Sequence, residues 1–520
     1  MLWLTVSFNP SYSRAQNNFI DVSESQNISR ENFNGSFQGG VSFVDVDGDG
    51  WDDLTFASRE GKKIEFYRNV QGVFQKEELN IDDTCDSKQV IWIDYDNDGD
   101  KDLFYTCRFV DNMVLYENDG QMNFTNVAIE KGLVSVTTAL TYAATWFDYD
   151  RDGYLDLYVS YYSSFRPNQL FKNLEGESFE ELTNDAIDTP GKRLTFALQT
   201  VDFDNDGWED IYLASDRDTK NELLSNNKGE TFFGIGESSL SDIAMDGMGV
   251  TTLDMNNDGL MEKYISNSET GNVLLFNNGD GTFQDIAEQS GVLFSSFSWG
   301  VNTLDIDNDS RSDLYVSGSN EGTEFLSSGL FRATDQDNFE HTQYEGMKGD
   351  TLTSFSNAVG DFNNDGKMDL AVGNADFYDN QLWKNTSETN NNWLQVKLEG
   401  TFSNIDALGS KVVLYSDDLV LHQYLYSGTS YLSQNAGYLH FGLKDKSEID
   451  SVVVSWPSGL IDVIKSPTPN QKLFVTEGQN FRLVKLTANR NLDNTFCEGE
   501  NIALGFELYG RGINTLWSEE

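Results

Sequence analysis

Seven stretches of this sequence alternate carboxylates around a short turn, a spacing that suits a hard divalent cation. The first reads Asp45-Val-Asp47-Gly-Asp49-Gly50-Trp-Asp-Asp53. The next three repeat it with Asp94, Asp96, Asp98 and Asp102, then Asp148, Asp150, Asp152 and Asp156, then Asp202, Asp204, Asp206 and Asp210. Looser copies follow at Asp254, Asn256, Asp258 and Glu262, at Asp305, Asp307, Asp309 and Asp313, and at Asp361, Asn363, Asp365 and Asp369. Side chains at positions 1, 3 and 5 of so tight a loop converge on one centre. The chain turns sharply at position 6, which is Gly in every copy except Ser310, because the backbone there needs a positive φ. A position 7 carbonyl and a bidentate carboxylate at position 9 would complete six or seven oxygens, a shell that favours Ca2+ over Mg2+. An EF-hand carries its bidentate Glu at position 12; here that position is apolar (Phe56, Tyr105, Val159), so the loop lies between strands.

The expectation is up to seven Ca2+ ions that staple the loops. The competing reading has the ion bridge to a ligand or act in catalysis. Carboxylates ~4 Å apart repel by about 1 to 4 kcal/mol per pair without a metal, depending on the effective dielectric. The weaker sites should be the fifth (Asn256, Glu262), the sixth (Ser310) and the seventh (Asn363).

Apolar residues flank the first Asp of the copies (Val44 and Val46, Ile93 and Tyr95, Phe147 and Tyr149), and alternation resumes beyond the loop (Leu54/Phe56, Leu103/Tyr105, Leu157/Val159). Period-two burial on both sides of a tight turn reads as two strands. A third strand ends in Asn (Asn118, Asn173, Asn277, Asn385), and a fourth begins with Phe (Phe124, Phe283). First-position Asp residues lie 49, 54, 54, 52, 51 and 56 residues apart. Four antiparallel strands at that period make a propeller blade. The fold class predicted is all-β: a seven-bladed propeller plus a C-terminal β domain. The seventh copy stops at Asn385, before a fourth strand, whereas the chain opens with Phe19-Ile-Asp-Val22, a fourth strand without its first three. The N-terminal strand is therefore expected to close the ring and cover a sheet edge.

These loops resemble the FG-GAP/VCBS repeats of integrin α-subunit propellers over roughly residues 19–388. Asn392–Gly400, Ser403–Gly409, Gly428–Gln434, Leu439–Leu443 and Val454–Gly459 resemble the ASPIC/UnbV domain that follows such repeats in the cartilage acidic protein family and its bacterial relatives. The resemblance implies extracellular calcium binding and adhesion- or matrix-type interaction, without an agreed catalytic activity. The domain reading is a weak or clipped signal segment over 1–16, a propeller over 17–388, an ASPIC/UnbV β domain over 389–485, and an unassigned tail over 486–520. Met1–Phe8 and Ser13-Arg-Ala15 carry the signal reading; an ordinary first strand is the alternative.

Lys and Arg total 35 against 85 Asp and Glu, a formal charge of −50. That balance speaks against nucleic acid, which demands clustered cations. No apolar run approaches the ~20 residues of a membrane span. The 67 aromatic residues argue against disorder. Cys85 and Cys107 flank one strand-loop-strand unit and form either a cross-strand disulfide in an exported protein or a pair of buried thiols; Cys497 is the third cysteine.

With Ca2+ on one face, the opposite face is expected to meet a partner, an extracellular protein or glycan, through Arg108, Asp111, Tyr161, Tyr162, Arg166, Asp216 and Arg217. The expected location is extracellular, cell-surface or periplasmic. The alternative is a calcium-dependent lyase or hydrolase acting on acidic polysaccharide. His341, His422 and His440 are scattered, no nucleophile elbow or paired-acid signature stands out, and no catalytic residue is assigned.

Overall fold

The computed structural model describes residues 19–28, 39–108, 113–134, 140–187, 192–322, 327–334, 337–342, 347, 350–375 and 378–479. The readings on 1–16, Asp111, Cys497 and 486–520 lie outside them. The described chain is all-β apart from two one-turn helices, Thr183–Ala186 and Ala287–Ser290. No described helix is long and apolar enough to cross a membrane.

Each acidic loop joins the first two strands of an antiparallel four-strand unit. In the first unit the spatial order is Val41–Val44, Asp53–Phe56, Glu65–Asn69, Phe74–Glu77. Later units open with Ser87–Ile93, Leu140–Phe147, Lys192–Val201, Val250–Leu253, Ser296–Leu304 and Ser354–Gly360. The third and fourth units join into one eight-stranded sheet where Tyr162 pairs Leu194 and Pro167 pairs Lys192. In the last unit the fourth strand is Phe19–Asp21, with Phe19 opposite Asn385 and Asp21 opposite Trp383. The first strand of the first unit packs on the first strand of the last. This is a propeller-like arrangement.

The inner strands are buried on both faces, so the period-two burial read from the alternation does not hold there: the polar residues between the apolar ones, such as Ser42, Thr55 and Thr106, are buried as well. Outer strands keep one inward residue each, the buried Phe19, Phe74, Phe124, Phe179, Phe232, Phe283 and Phe339. The fifth unit breaks the pattern with Lys263 where the others have Leu or Ile. Lys263 is fully buried, and its Nζ lies 3.1 Å from the Phe283 ring centre and 3.6 Å from that of Phe203. Cys85 and Cys107 are joined as a disulfide, with Cα atoms 5.8 Å apart.

Beyond residue 390, Asn392–Glu399 lies between Leu439–Lys444, antiparallel, and Lys472–Thr476, parallel. A second sheet runs Leu419–Tyr424, Lys411–Ser416, Ser451–Ser455, Ile461–Lys465. The two sheets share a core of Leu394, Val396, Val412, Leu414, Phe441, Val454 and Trp456, continuous with Ile93, Trp146 and Leu157 of the repeats.

The link between two of these strands, residues 427–436, leaves the C-terminal domain and runs among the innermost strands of the repeats. Ser427 Oγ accepts the Trp146 N–H at 2.8 Å. Ser430 exchanges backbone hydrogen bonds with Val250, and Gln434 with Val41 and Phe43. The Gln434 side chain copies a strand edge: its Oε1 accepts the Trp92 N–H at 2.9 Å and its Nε2 donates to the Trp92 carbonyl at 2.8 Å. Asn435 Oδ1 accepts from Val359 N–H at 3.0 Å and from Asn302 at 2.8 Å. The Tyr431 ring stands 5.1 Å from Trp299 and 6.2 Å from Phe196. One short segment thus touches the first strand of every unit, like a spindle. The C-terminal β domain is thus tied into the repeats through this segment.

Gln434→Leu leaves two buried backbone groups of Trp92 unpaired, at about 1–3 kcal/mol each. Thermal unfolding of the full chain should show a fall of several degrees, with the repeats and the C-terminal domain melting in one transition.

Candidate metal centres

The position 1 carboxylate builds each loop. In the second to seventh copies one of its oxygens accepts the position 5 N–H and the other the position 6 N–H, at 2.7–3.1 Å. Asp45 takes only the Gly50 N–H, at 3.0 Å. Such turns require left-handed backbone at position 6, where φ runs from 70° at Ser310 to 103° at Gly99. The side chain at Ser310 adopts that φ at a strain that glycine avoids.

Position 9 has a first role that the loop pattern did not disclose. In all seven copies one oxygen accepts the position 2 N–H and the other a backbone N–H of the third strand, as Asp53 does from Val46 and Asn69 and Asp369 from Phe362 and Asn385. It clasps loop to sheet, and any bond to a metal would use the remaining lone pairs.

Ligand oxygens of Asp45, Asp47 and Asp53 lie within 4.8 Å of one another, as do those of Asp94, Asp96 and Asp102, of Asp148, Asp150 and Asp156, and of Asp202, Asp204 and Asp206. In the fifth and seventh loops the amides of Asn256 and Asn363 donate to Asp258 and Asp365, at 2.9 and 3.0 Å. In the sixth, Arg332 pairs with Asp307. The donor set fits a cation on one further ground: Asp45 Oδ1, Asp150 Oδ1 and Asp307 Oδ1 are buried and have no hydrogen-bond partner among the described residues.

Burial, reinforced by neighbouring carboxylates, raises the pKa values of the position 1 and position 9 acids: Asp53 to about 8, Asp102 to about 9, Asp202 to about 7, Asp254 to about 6 and Glu262 to about 8. Asp148, Asp305, Asp313 and Asp369 are pushed well up for the same reason. The charged loop is therefore an unfavourable state without a counter-ion.

Two asparagine sets escaped the sequence reading of the site, although both recur at fixed positions. Third-strand Asn69, Asn173, Asn226, Asn277 and Asn385 each donate to the position 2 carbonyl of the preceding loop, Asn69 reaching Phe362 and so joining the first unit to the last. Position 4 asparagines sit in left-handed backbone and work in two directions. Asn97, Asn205, Asn308 and Asn364 donate to the position 6 carbonyl of the next loop, with Asn364 reaching Gly50. Their Oδ1 atoms face the C-terminal domain and meet Ile405 N–H, Tyr424 Oη, His440 Nε2 and Lys472 Nζ at 2.7–3.2 Å. Burial holds His440 neutral, at about 3. Gln395 and Tyr438 add bonds to Asp361 and Asp52. The C-terminal domain thus covers the acidic face.

Raised acid pKa values fix the sign of the pH response. An acid whose folded pKa lies above its unfolded value near 3.9 costs stability that is fully felt above the folded pKa and vanishes as pH falls toward the unfolded one. In excess chelator the melting temperature should therefore rise as pH is lowered from 8.5 toward 5.5 (about the span of the raised values). Differential scanning calorimetry checks the slope, and a fall would contradict it.

Family models match at both ends of this architecture. FG-GAP-like repeats match residues 45–105, 94–159, 202–265 and 254–316, an FG-GAP repeat matches 355–388, and ASPIC and UnbV matches 400–481. Cartilage acidic protein 1 of Xenopus tropicalis is 30% identical over 270 residues, 49% of this chain and 41% of that protein. The Homo sapiens protein is 23% identical over 507 residues, 86% of this chain and 72% of that protein. Against the Xenopus protein, then, the matched stretch spans well under half of the relative's length. Solved structures include an Agrocybe aegerita lectin that recognises non-reducing terminal N-acetylglucosamine (16% identity, 61% of this chain and 84% of that one, TM-score 0.41) and YCF48 bound to D1 peptide (8% identity, 72% and 100%, TM-score 0.42). Repeats and C-terminal domain together place the chain among the FG-GAP-repeat proteins with an ASPIC and UnbV domain, the family of cartilage acidic protein 1.

Proposed function

We propose that this chain is a secreted or cell-surface, calcium-stabilised seven-bladed propeller, closed by its N-terminal strand, that acts as a binding or adhesion module for an extracellular protein or glycan. Ca2+ in the acidic loops is structural in this reading. The Cys85–Cys107 disulfide supports an oxidising compartment. Pairing of Phe19–Asp21 with Gln381–Asn385, and the Asn69 and Asn364 bonds from first unit to last, support closure.

The observation that carries the binding reading is the distribution of free surface. Among the described residues the C-terminal domain covers the acidic-loop face and residues 427–436 run between the inner strands, which leaves the opposite face uncovered. First strands run toward the acidic loops, so their starting ends meet there. Phe297 and Phe355 are partly exposed beside Trp299, with Trp299 and Phe355 ring centres 4.8 Å apart. Tyr162 stacks on Phe196 at 4.6 Å, donates its hydroxyl to Asp216 and lies under Arg217 at 5.6 Å. Phe165, at the far end of the same strand as Tyr162, is 84% exposed. Aromatic residues beside Arg are the composition of binding hot spots. Tyr161 does not belong to this surface: it is buried at 1% exposure and bonds Gln169. Arg108 lies mostly buried beside Asp86.

Full-length protein should be screened on glycan and secreted-protein arrays, with Phe165→Ala and Arg217→Ala as paired variants. Both side chains are exposed, so the fold should persist while binding weakens at least tenfold. Binding that survives both changes would point to another surface.

A further inference from the structure

The residue just before the third-strand asparagine (Ala333 in the sixth repeat) is Arg68, Glu117, Lys172, Ser225, Phe276, Arg332 and Lys384 in successive repeats. In the third repeat the Lys172 ammonium pairs with Oδ2 of Asp150 and lies 3.2 Å from Oδ2 of Asp152. In the sixth the Arg332 guanidinium pairs with Oδ2 of Asp307 and lies 3.5 Å from Oδ2 of Asp309. Asp150 and Asp307 both hold position 3. The other oxygen of each, Oδ1, is buried with no hydrogen-bond partner among the described residues, and Asp307 as a whole is 5% exposed. The same geometry therefore recurs in two separate loops: one oxygen held by a fixed cation, the other bare.

A bare, buried carboxylate oxygen has lost its water and gained nothing in exchange. If the ammonium or guanidinium stood in for the metal, it would take that oxygen too. Instead it pairs with Oδ2 alone and leaves Oδ1 bare. Asp150 remains in one cluster with Asp148 and Asp156, whose ligand oxygens lie within 4.8 Å of one another.

We propose that Lys172 and Arg332 are positioning residues of the third and sixth loops: each clamps the outer oxygen of the position 3 carboxylate so that the inner oxygen stays aimed at a bound divalent cation. The assignment rests on the calcium reading above. Two opposing effects follow from a cation so near the site. Its charge repels the metal, and its grip spares the carboxylate the entropy of being fixed when the metal arrives. At 24% and 21% exposure solvent screens Lys172 and Arg332 only in part, but each lies against two carboxylates that offset its charge, so the grip outweighs the repulsion. Outer groups that hold metal ligands typically contribute 10- to 100-fold in affinity. The fourth and fifth repeats, with Ser225 and Phe276, have no cationic side chain at this position.

The test is a calcium titration by isothermal calorimetry on chelator-stripped full-length protein. Lys172→Met and Arg332→Met should each weaken one site about 10- to 100-fold, and Lys172→Arg should restore it. Ser225→Lys, which installs a clamp in the fourth loop, should tighten one site and keeps the test decisive if a methionine variant does not fold. Unchanged or tighter binding in both methionine variants would overturn the clamp and leave the calcium reading standing. No calcium bound by the wild type would overturn both.

Discussion

Buried carboxylates that are bonded on one side and uncompensated on the other set the terms for the whole molecule. In each repeat the position 1 and position 9 acids accept backbone N–H groups that no strand could satisfy, and so define loop and hairpin together. Those bonds leave the charge in place. Burial raises the pKa of acid after acid, and four carboxylate oxygens, on Asp45, Asp100, Asp150 and Asp307, have no hydrogen-bond partner among the described residues. A divalent cation answers both conditions at once. The chain's own cations answer them only from the outer side, through Arg68, Lys172 and Arg332.

The same loops explain how the domains hold together. Position 4 must turn left-handed, and Asn tolerates that conformation better than other side chains. Its amide then has a donor for the next repeat and an acceptor for the C-terminal domain, as Asn308 shows between Gly366 and His440. A residue selected by backbone geometry becomes a three-way junction. The acidic face is in consequence an internal interface between the repeats and the C-terminal domain.

How far the sequence disclosed this depended on whether a feature was local. The acidic loops, the strands around them and the pairing of Phe19 with the last unit were legible because turn chemistry and the alternation of apolar residues leave local marks. Third-strand and position 4 asparagines were visible as repeats, but their partners lie one repeat away and left the role unread. Residues 427–436 gave least warning. Gly428-Thr-Ser-Tyr-Leu-Ser-Gln434 has no periodicity, and its hydrogen bonds go to backbone groups of strands hundreds of residues distant. Lys263 shows the reverse: a local break in the apolar pattern that tertiary packing overrode by boxing the side-chain nitrogen between Phe203 and Phe283.

The central claim is that the acidic loops are completed by a metal and that the fold leans on it. Thermal melting of the full chain at neutral pH, in excess chelator and then in excess calcium, addresses it directly. The account predicts a reversible rise of many degrees on adding calcium, with magnesium much less effective. Superimposable melting curves in chelator and in calcium would contradict it.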